Sequence, residues 1–253
     1  MSRLLLLLLT ALTLAASLPA RAGQSEIMVG TSGRMHATLI TPDGPGPYPG
    51  VLVLHTSGGL READLAYARA LAKAGYVALV PAFLNAYAIS YSRRQESFTT
   101  SAEPIYADLV SALDTLRQNA LVRGGKLGAV GFSNGGYFAM WLAATGKVSA
   151  GVSYYGALSG AGSDVPQQRF QQAFAKASAP VLILHGTADR IVPVGAAKHL
   201  AGIVAAAGSV HELRLYEGAT HEFERDLALD ANQQAATDAW TRTTAFFGTY
   251  LSK

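Results

Sequence analysis

Three residues in the second half of the chain have the types and the order of a nucleophile, an acid and a base. Ser133 lies in the hexapeptide Gly131-Phe132-Ser133-Asn134-Gly135-Gly136, between an apolar run and a helix-like stretch. This is a G-x-S-x-G sequence, a serine on a sharp strand-to-helix turn. The glycines leave room for such a turn, and the serine oxygen then projects beside a helix N-terminus that favours negative charge. A neutral serine hydroxyl is a poor nucleophile and needs a base in hydrogen-bond reach. His221, at the end of the segment from Glu217 through Gly218 and Thr220, can take that proton and return it to a leaving group. Asp189, after the apolar run Val181 to His185, can fix the imidazole tautomer and stabilise the imidazolium. The chemistry implied is acyl transfer through a covalent intermediate on Ser133. Its oxyanion needs two backbone donors. The amide of Asn134 supplies one, and the amide of Thr56, in the turn His55 to Gly59, supplies the other.

Rival readings exist for each residue. Ser133 could merely cap a helix, and Asp189 could start the helix near Pro193, since aspartate is a good N-cap. Asp164 is a competing acid, but it lies in a loop before its strand. Among the six histidines, His36 and His211 read as strand-surface residues, His199 as a helix-surface residue and His185 as packing at a strand end. His55 either touches substrate or supports the oxyanion loop.

What singles out Ser133, Asp189 and His221 is their joint placement. Apolar runs predict strands over Met35–Ile40, Gly50–His55, Tyr76–Val80, Leu127–Phe132, Ala150–Tyr155, Val181–His185 and Glu212–Tyr216. Helical spacing predicts helices over Glu62–Lys73, Pro104–Gln118, Gly135–Thr145, Val194–Ala207 and Asn232–Tyr250. Continuous Val/Leu/Ile strands alternating with helices imply an α/β fold, a mostly parallel buried sheet flanked by helices on both faces. Residues 27–41 have no helix between their strand-like parts and predict an antiparallel hairpin at one edge. All three candidate residues fall just past parallel strand ends, where an open sheet forms its ligand crevice. The serine–acid–histidine chain order is that of an α/β hydrolase. The irregular stretches 81–102 and 156–166 should border the crevice.

Composition narrows the classes further. The 253 residues are 50% hydrophobic and 15% charged, enough for one domain with a substantial core and against disorder. There is no cysteine, which rules out disulfides, a thiol nucleophile and cysteine-bound zinc. No metal or cofactor is called for. Arg3 precedes an apolar run, Leu4 to Leu18, and Ala20-Arg21-Ala22 gives a small-residue cleavage pattern, so residues 1–22 read as a cleaved signal peptide and 23–253 as a single domain. The apolar run is short against the roughly 20 residues of a bilayer span. The expectation is export to the periplasm or the exterior, without stable membrane association afterwards. Cleavage removes Arg3 and Arg21 and no acid, leaving a net charge of +1. With no basic stripe, nucleic acid is not an expected partner.

The chain resembles the dienelactone hydrolase family of α/β hydrolases over residues 34–248. The resemblance rests on the stretch Asp108 to Leu113, on Gly125 to Gly136, on Tyr154-Tyr155-Gly156, on His185 to Pro193 and on Gly218 to Phe223, in that order. It implies a hydrolase of small-molecule esters or lactones. The family's best-known members carry cysteine at the nucleophile position, where this chain has Ser133. The family also holds substrate carboxylates with arginines, one of them four residues after the catalytic histidine; Arg225 stands at that place. Tyr155 would line the pocket or pack in the core, and Arg93 and Arg94 read as solvated charges. The same triad cleaves amides, so a peptidase is the nearest alternative, and a non-catalytic small-ligand-binding homologue is another. Edman sequencing of the protein recovered from outside the cytoplasm is expected to begin Gly23-Gln24-Ser25; recovery of the chain starting at Met1 would refute cleavage.

Overall fold

The computed structural model describes residues 23–156, 165–175 and 178–252. The expected signal peptide, Asp164 and most of the stretch 156–166 lie outside the described residues. Eight strands are present among those described: β1 (Gly23–Val29), β2 (Met35–Thr41), β3 (Tyr48–Leu54), β4 (Val77–Pro81), β5 (Val122–Phe132), β6 (Ala150–Tyr154), β7 (Val181–Gly186) and β8 (His211–Tyr216). They form one sheet in the order β1-β2-β4-β3-β5-β6-β7-β8. The β1–β2 and β2–β4 pairs are antiparallel, and every later pair is parallel. Six helices accompany them: α1 (Glu62–Lys73), α2 (Ala102–Arg117), α3 (Asn134–Ala144), α4 (Val165–Phe174), α5 (Val194–Ala206) and α6 (Asp230–Leu251).

Strand periodicity divides the core. Leu52 and Leu54 of β3 point to one face and pack with Ile105 and Leu109 of α2, Phe138 of α3, Phe170 of α4 and Leu200 of α5. Val51 and Val53 point to the other and pack with Leu71 of α1 and Phe247 of α6. Both faces of β3 are therefore covered, which is why its sequence reads as a continuous apolar run. Each fully buried Leu or Val contributes about 1.5–3 kcal/mol. Helix α3 is buried on all sides, so it carries no polar stripe.

The edge hairpin and the parallel order follow the sequence reading. Four details differ. Strand β5 begins at Val122, because its first turns carry exposed Gly124, Gly125 and Lys126 that give no apolar signal. Strand β1 begins at Gly23, with exposed polar residues suited to a sheet edge. The stretch 81–102, read as irregular, contains 3₁₀ helices at Asn85–Tyr87 and Tyr91–Ser97. Helix α4 begins at the end of the stretch 156–166, read as irregular, and continues through residues for which no element was expected; its signal was the spacing of Phe170 and Phe174.

Helix α3 approaches the sheet too closely for side chains at its start. A Cβ on Gly135 would lie 2.1 Å from the Leu54 carbonyl oxygen, and one on Gly131 would lie 2.0 Å from the Gly135 carbonyl oxygen. Neither neighbour is a side chain that can move aside. Gly202, on the outer side of α5, has nothing within 4 Å of the same position. Gly135→Ala is expected to cost at least about 3 kcal/mol, whereas Gly202→Ala should stabilise by about 0.5–1 kcal/mol. Urea denaturation of the two variants checks both; equal effects would contradict the packing described.

Candidate active site

The carboxyl ends of β5, β7 and β8 bring three side chains together. Ser133 directly follows β5, Asp189 follows β7 by three residues and His221 follows β8 by five. His221 Nε2 lies 3.2 Å from Ser133 Oγ, and His221 Nδ1 lies 2.7 Å from Asp189 Oδ2. This order requires the Nδ1–H tautomer, which leaves Nε2 as an acceptor for the serine proton. Ser133 has φ 51° and ψ −109°, a conformation that costs a residue with a side chain of order 1–3 kcal/mol. Two backbone bonds hold it there. Its amide donates to the Tyr154 carbonyl at 3.0 Å, and its carbonyl accepts the Tyr137 amide at 3.2 Å.

Asp189 is buried and saturated with donors. Its Oδ1 accepts the amides of Ile191 and Val192, each at 2.8 Å. Burial pushes its carboxyl up, but hydrogen bonds from His185, His221 and the Val192 amide outweigh that and hold it well below the usual carboxylate range. His185 Nε2 sits 2.8 Å from the Val192 carbonyl and 3.4 Å from Asp189 Oδ2, so its proton points chiefly at the carbonyl. Packing at a strand end was the sequence reading for His185, and it is fully buried there.

The His221 loop is held from two sides. The Ala188 amide donates to the Ala219 carbonyl at 3.0 Å, which ties it to the Asp189 turn. Asn232, near the start of α6 and fully buried, accepts the Thr220 amide at 2.9 Å and donates to Thr220 Oγ1 and to the Asp226 carbonyl. Sequence reasoning missed Asn232, and nothing in its spacing marks it.

A cavity of about 460 Å³ opens over Ser133. Its walls include Thr56, Ser57 and Gly58 from the turn after β3, Asn134 from α3, Ile191 to Pro193, and Glu222 beside His221. Tyr91, Arg94, Gln95 and Phe98 line it from the segment between β4 and α2. Asn134 opens α3, where backbone N–H groups have no intrahelical acceptor. Thr56 and Asn134 thus border the space above Ser133 from two sides. The Asn134 side chain also ties the wall to the turn, donating to Ser97 Oγ at 2.7 Å.

Three residues read as substrate contacts stand behind the wall instead. His55 is fully buried, stacks on Phe83 at 4.2 Å and lies with Nδ1 2.7 Å from the Thr56 carbonyl. That resolves its ambiguity toward support of the turn. Tyr155 is fully buried, with its ring 4.6 Å from that of His221 and its hydroxyl donating to Glu224 Oε1 at 2.5 Å. Arg225 donates to Asp64 Oδ1 and to Glu224 Oε1, each at 2.6 Å, and lies over the Phe132 ring. Burial pushes its guanidinium down, but Tyr155, Glu224 and Asp64 outweigh this and raise it. Its charge is spent inside the protein. Arg93 pairs with Glu96 on the surface, as read, whereas Arg94 reaches the cavity. The other cavity arginine, Arg61, had no sequence signal beyond its place just before α1.

The sequence profile of the dienelactone hydrolase family matches residues 35–251. The chain belongs to the dienelactone hydrolase family. A Methylorubrum extorquens relative, provisionally named carboxymethylenebutenolidase, is 31% identical over 245 residues, covering 90% of this chain and 81% of its own. A Bradyrhizobium relative provisionally named 2-oxo-3-(5-oxofuran-2-ylidene)propanoate lactonase is 28% identical over 88% of this chain and 93% of its own. The solved structure of a dienelactone hydrolase-like promiscuous phosphotriesterase from metagenomic libraries superposes with a TM-score of 0.75 at 24% identity, covering 91% of this chain and 99% of that one, and so shares the fold. As a dienelactone hydrolase family member the chain is a hydrolase of the ester and lactone type, acting on small molecules.

Burial gives His55 a measurable signature. It pushes the imidazole from 6.5 down to about 4, against the pull of the Thr56 carbonyl. The unfolded chain takes up this proton near pH 6.5, while the folded protein refuses it until about pH 4. Stability from His55 is therefore complete above pH 6.5 and declines as pH falls through that window, by up to about 3 kcal/mol. Urea denaturation of wild type and His55→Gln between pH 7 and 4 should show the steeper decline in wild type; parallel curves would contradict it.

Proposed function

We propose that this chain is an exported serine hydrolase that cleaves carboxylic esters or lactones through an acyl-enzyme on Ser133. The observation that carries this reading is the hydrogen-bonded line from Ser133 Oγ through His221 to Asp189, at 3.2 and 2.7 Å, at the floor of the cavity. Ser133 Oγ attacks the substrate carbonyl while His221 Nε2 takes its proton. Asp189, held anionic by its donors, balances the imidazolium without accepting the proton. The amides of Asn134 and Thr56 receive the charge that develops on the carbonyl oxygen, and loss of one such donor costs about 100-fold or more in rate. Collapse of the tetrahedral intermediate expels the alcohol, which leaves with the proton from His221. For a lactone the alcohol stays tethered to the acyl group. Water then attacks the acyl-enzyme with His221 again as base; the bond from the acyl carbon to Ser133 Oγ breaks, His221 returns the proton to Oγ, and the acid departs.

Serine suits this role in a chain with no cysteine and an export-type leader, because an exposed thiolate is prone to oxidation outside the cytoplasm. The scheme needs no metal or cofactor. The mature protein is expected to hydrolyse p-nitrophenyl acetate and to be labelled by a fluorophosphonate probe. Ser133→Ala should abolish the labelling and lower kcat at least about 1000-fold. Undiminished labelling of Ser133→Ala, or hydrolysis unaffected by it, would overturn the assignment.

A further inference from the structure

Two ion pairs join the N-terminus of α1 to the loop that carries His221. Arg61 Nη2 donates to Glu222 Oε1 at 2.7 Å and Arg61 Nη1 to Glu222 Oε2 at 3.4 Å. Three residues further along both segments, Arg225 Nη2 donates to Asp64 Oδ1 at 2.6 Å. The two rungs are linked, because the Arg61 amide donates to Asp64 Oδ2 at 2.8 Å. The inner rung is buried, whereas the outer one borders the cavity with both side chains partly exposed.

The outer rung has a third member. Arg61 Nη2 also donates to Thr56 Oγ1 at 2.9 Å, and the Gly58 amide donates to the same oxygen at 3.2 Å. One guanidinium thus grips both the turn that carries a proposed oxyanion donor and the residue immediately after His221. Glu222 itself has φ 57°, a left-handed backbone that a residue with a side chain holds only when its surroundings fix it. Burial raises the Glu222 carboxyl, but the Arg61 hydrogen bond and charge hold it below its ordinary value, so the rung stays ionic at neutral pH. A planar fork with several donors suits such a multi-point grip better than an ammonium does.

We infer that Arg61 is a positioning residue that, through Glu222 and Thr56, sets the oxyanion turn and the His221 loop at their working separation over Ser133. The inference rests on the reading of Ser133, His221 and the Thr56 amide given above. It differs from a substrate-anchoring role, because both terminal nitrogens of Arg61, Nη1 and Nη2, donate to protein acceptors. Misplacing a reacting group by about 1 Å can cost on the order of 100-fold in rate.

Steady-state kinetics on p-nitrophenyl acetate and on the anionic ester mono-p-nitrophenyl succinate, with fluorophosphonate labelling and thermal denaturation, provide the test. Arg61→Ala is expected to lower kcat about 10- to 100-fold on both esters with KM changed less than about threefold. Arg61→Lys should recover part of kcat. Arg61→Ala combined with Glu222→Gln should be no worse than the poorer single variant, as expected of residues acting as a unit. Thr56→Val, which removes one acceptor and leaves the ion pair, should lower kcat a few-fold in the same direction and serves if Arg61→Ala does not fold. Unchanged kcat in Arg61→Ala, or in Thr56→Val where Arg61→Ala does not fold, would overturn the inference. So would a rise in KM confined to the anionic ester, which would make Arg61 a substrate contact. Failure of the wild type to be labelled at Ser133 would instead remove the underlying functional reading.

Discussion

The strained backbone at Ser133 is the constraint around which the neighbouring elements are arranged. A serine at φ 51° resists its own conformation, so the surroundings must over-determine it. The β5–β6 pairing does so from one side, extended by the bond from the Ser133 amide to Tyr154. The first bond of α3 does so from the other. Both can act only because Gly131 and Gly135 let the turn, the helix and the end of β3 approach at distances that a Cβ would forbid. That close approach in turn demands an α3 buried on every side, hence a sheet wide enough to cover it with helices on the same face.

Charge is buried around this turn in two different ways. Asp189 is surrounded by donors that carry no permanent charge of their own, and that set of hydrogen bonds keeps it anionic. Arg225 lies between Asp64 and Glu224, in a cluster extended by the Tyr155 hydroxyl. Burial raises the Glu224 carboxyl against the pull of Arg225, and the guanidinium is paired inside the protein with both Asp64 and Glu224. Freeing Arg225 would strand Asp64, which has no solvent exposure, and such a stranded buried charge typically costs about 3–5 kcal/mol. This is the physical reason that an arginine four residues after the histidine does not reach the cavity here.

The meeting of Ser133, Asp189 and His221 was legible because each follows a strand whose apolar run is unambiguous, and a parallel sheet places such ends together. The hairpin edge was legible for a different reason: no helical spacing separates the two strand-like parts of residues 27–41. That the stretch 81–102 borders the crevice was legible too, but which of its side chains face the cavity was not. Tyr91, Arg94 and Gln95 belong to a short 3₁₀ helix, which has neither the 3.6-residue nor the two-residue period. His55 and Tyr155 were ambiguous because a strand-end aromatic points either into the crevice or into the core, and the sequence does not encode which. Both lie in the core, through stacking on Phe83 and contact with His221 respectively. Arg225 was misplaced because its spacing from His221 says nothing about Asp64, which is 161 residues from Arg225 along the chain.

That separation points to a problem inherent in the sheet order. Asp189 and His221 follow adjacent strands, and backbone bonds fix them directly: Thr187 to Tyr216 at 2.9 Å and Ala188 to Ala219 at 3.0 Å. Thr56 and His221 follow β3 and β8, with β5, β6 and β7 between them. At about 4.8 Å per strand the two ends of that span stand roughly 19 Å apart in the sheet. Ladder hydrogen bonds alone therefore define their separation loosely, since sheet twist accumulates across every intervening strand. Loops arching over the sheet must close the distance, and they need contacts of their own to hold it. Helix α1 starts eight residues after β3 ends, close enough for its first turn to meet the loop after β8. The Arg61–Glu222 and Asp64–Arg225 pairs lie at that meeting point, where side-chain charge supplies a dimension that the backbone ladder leaves soft.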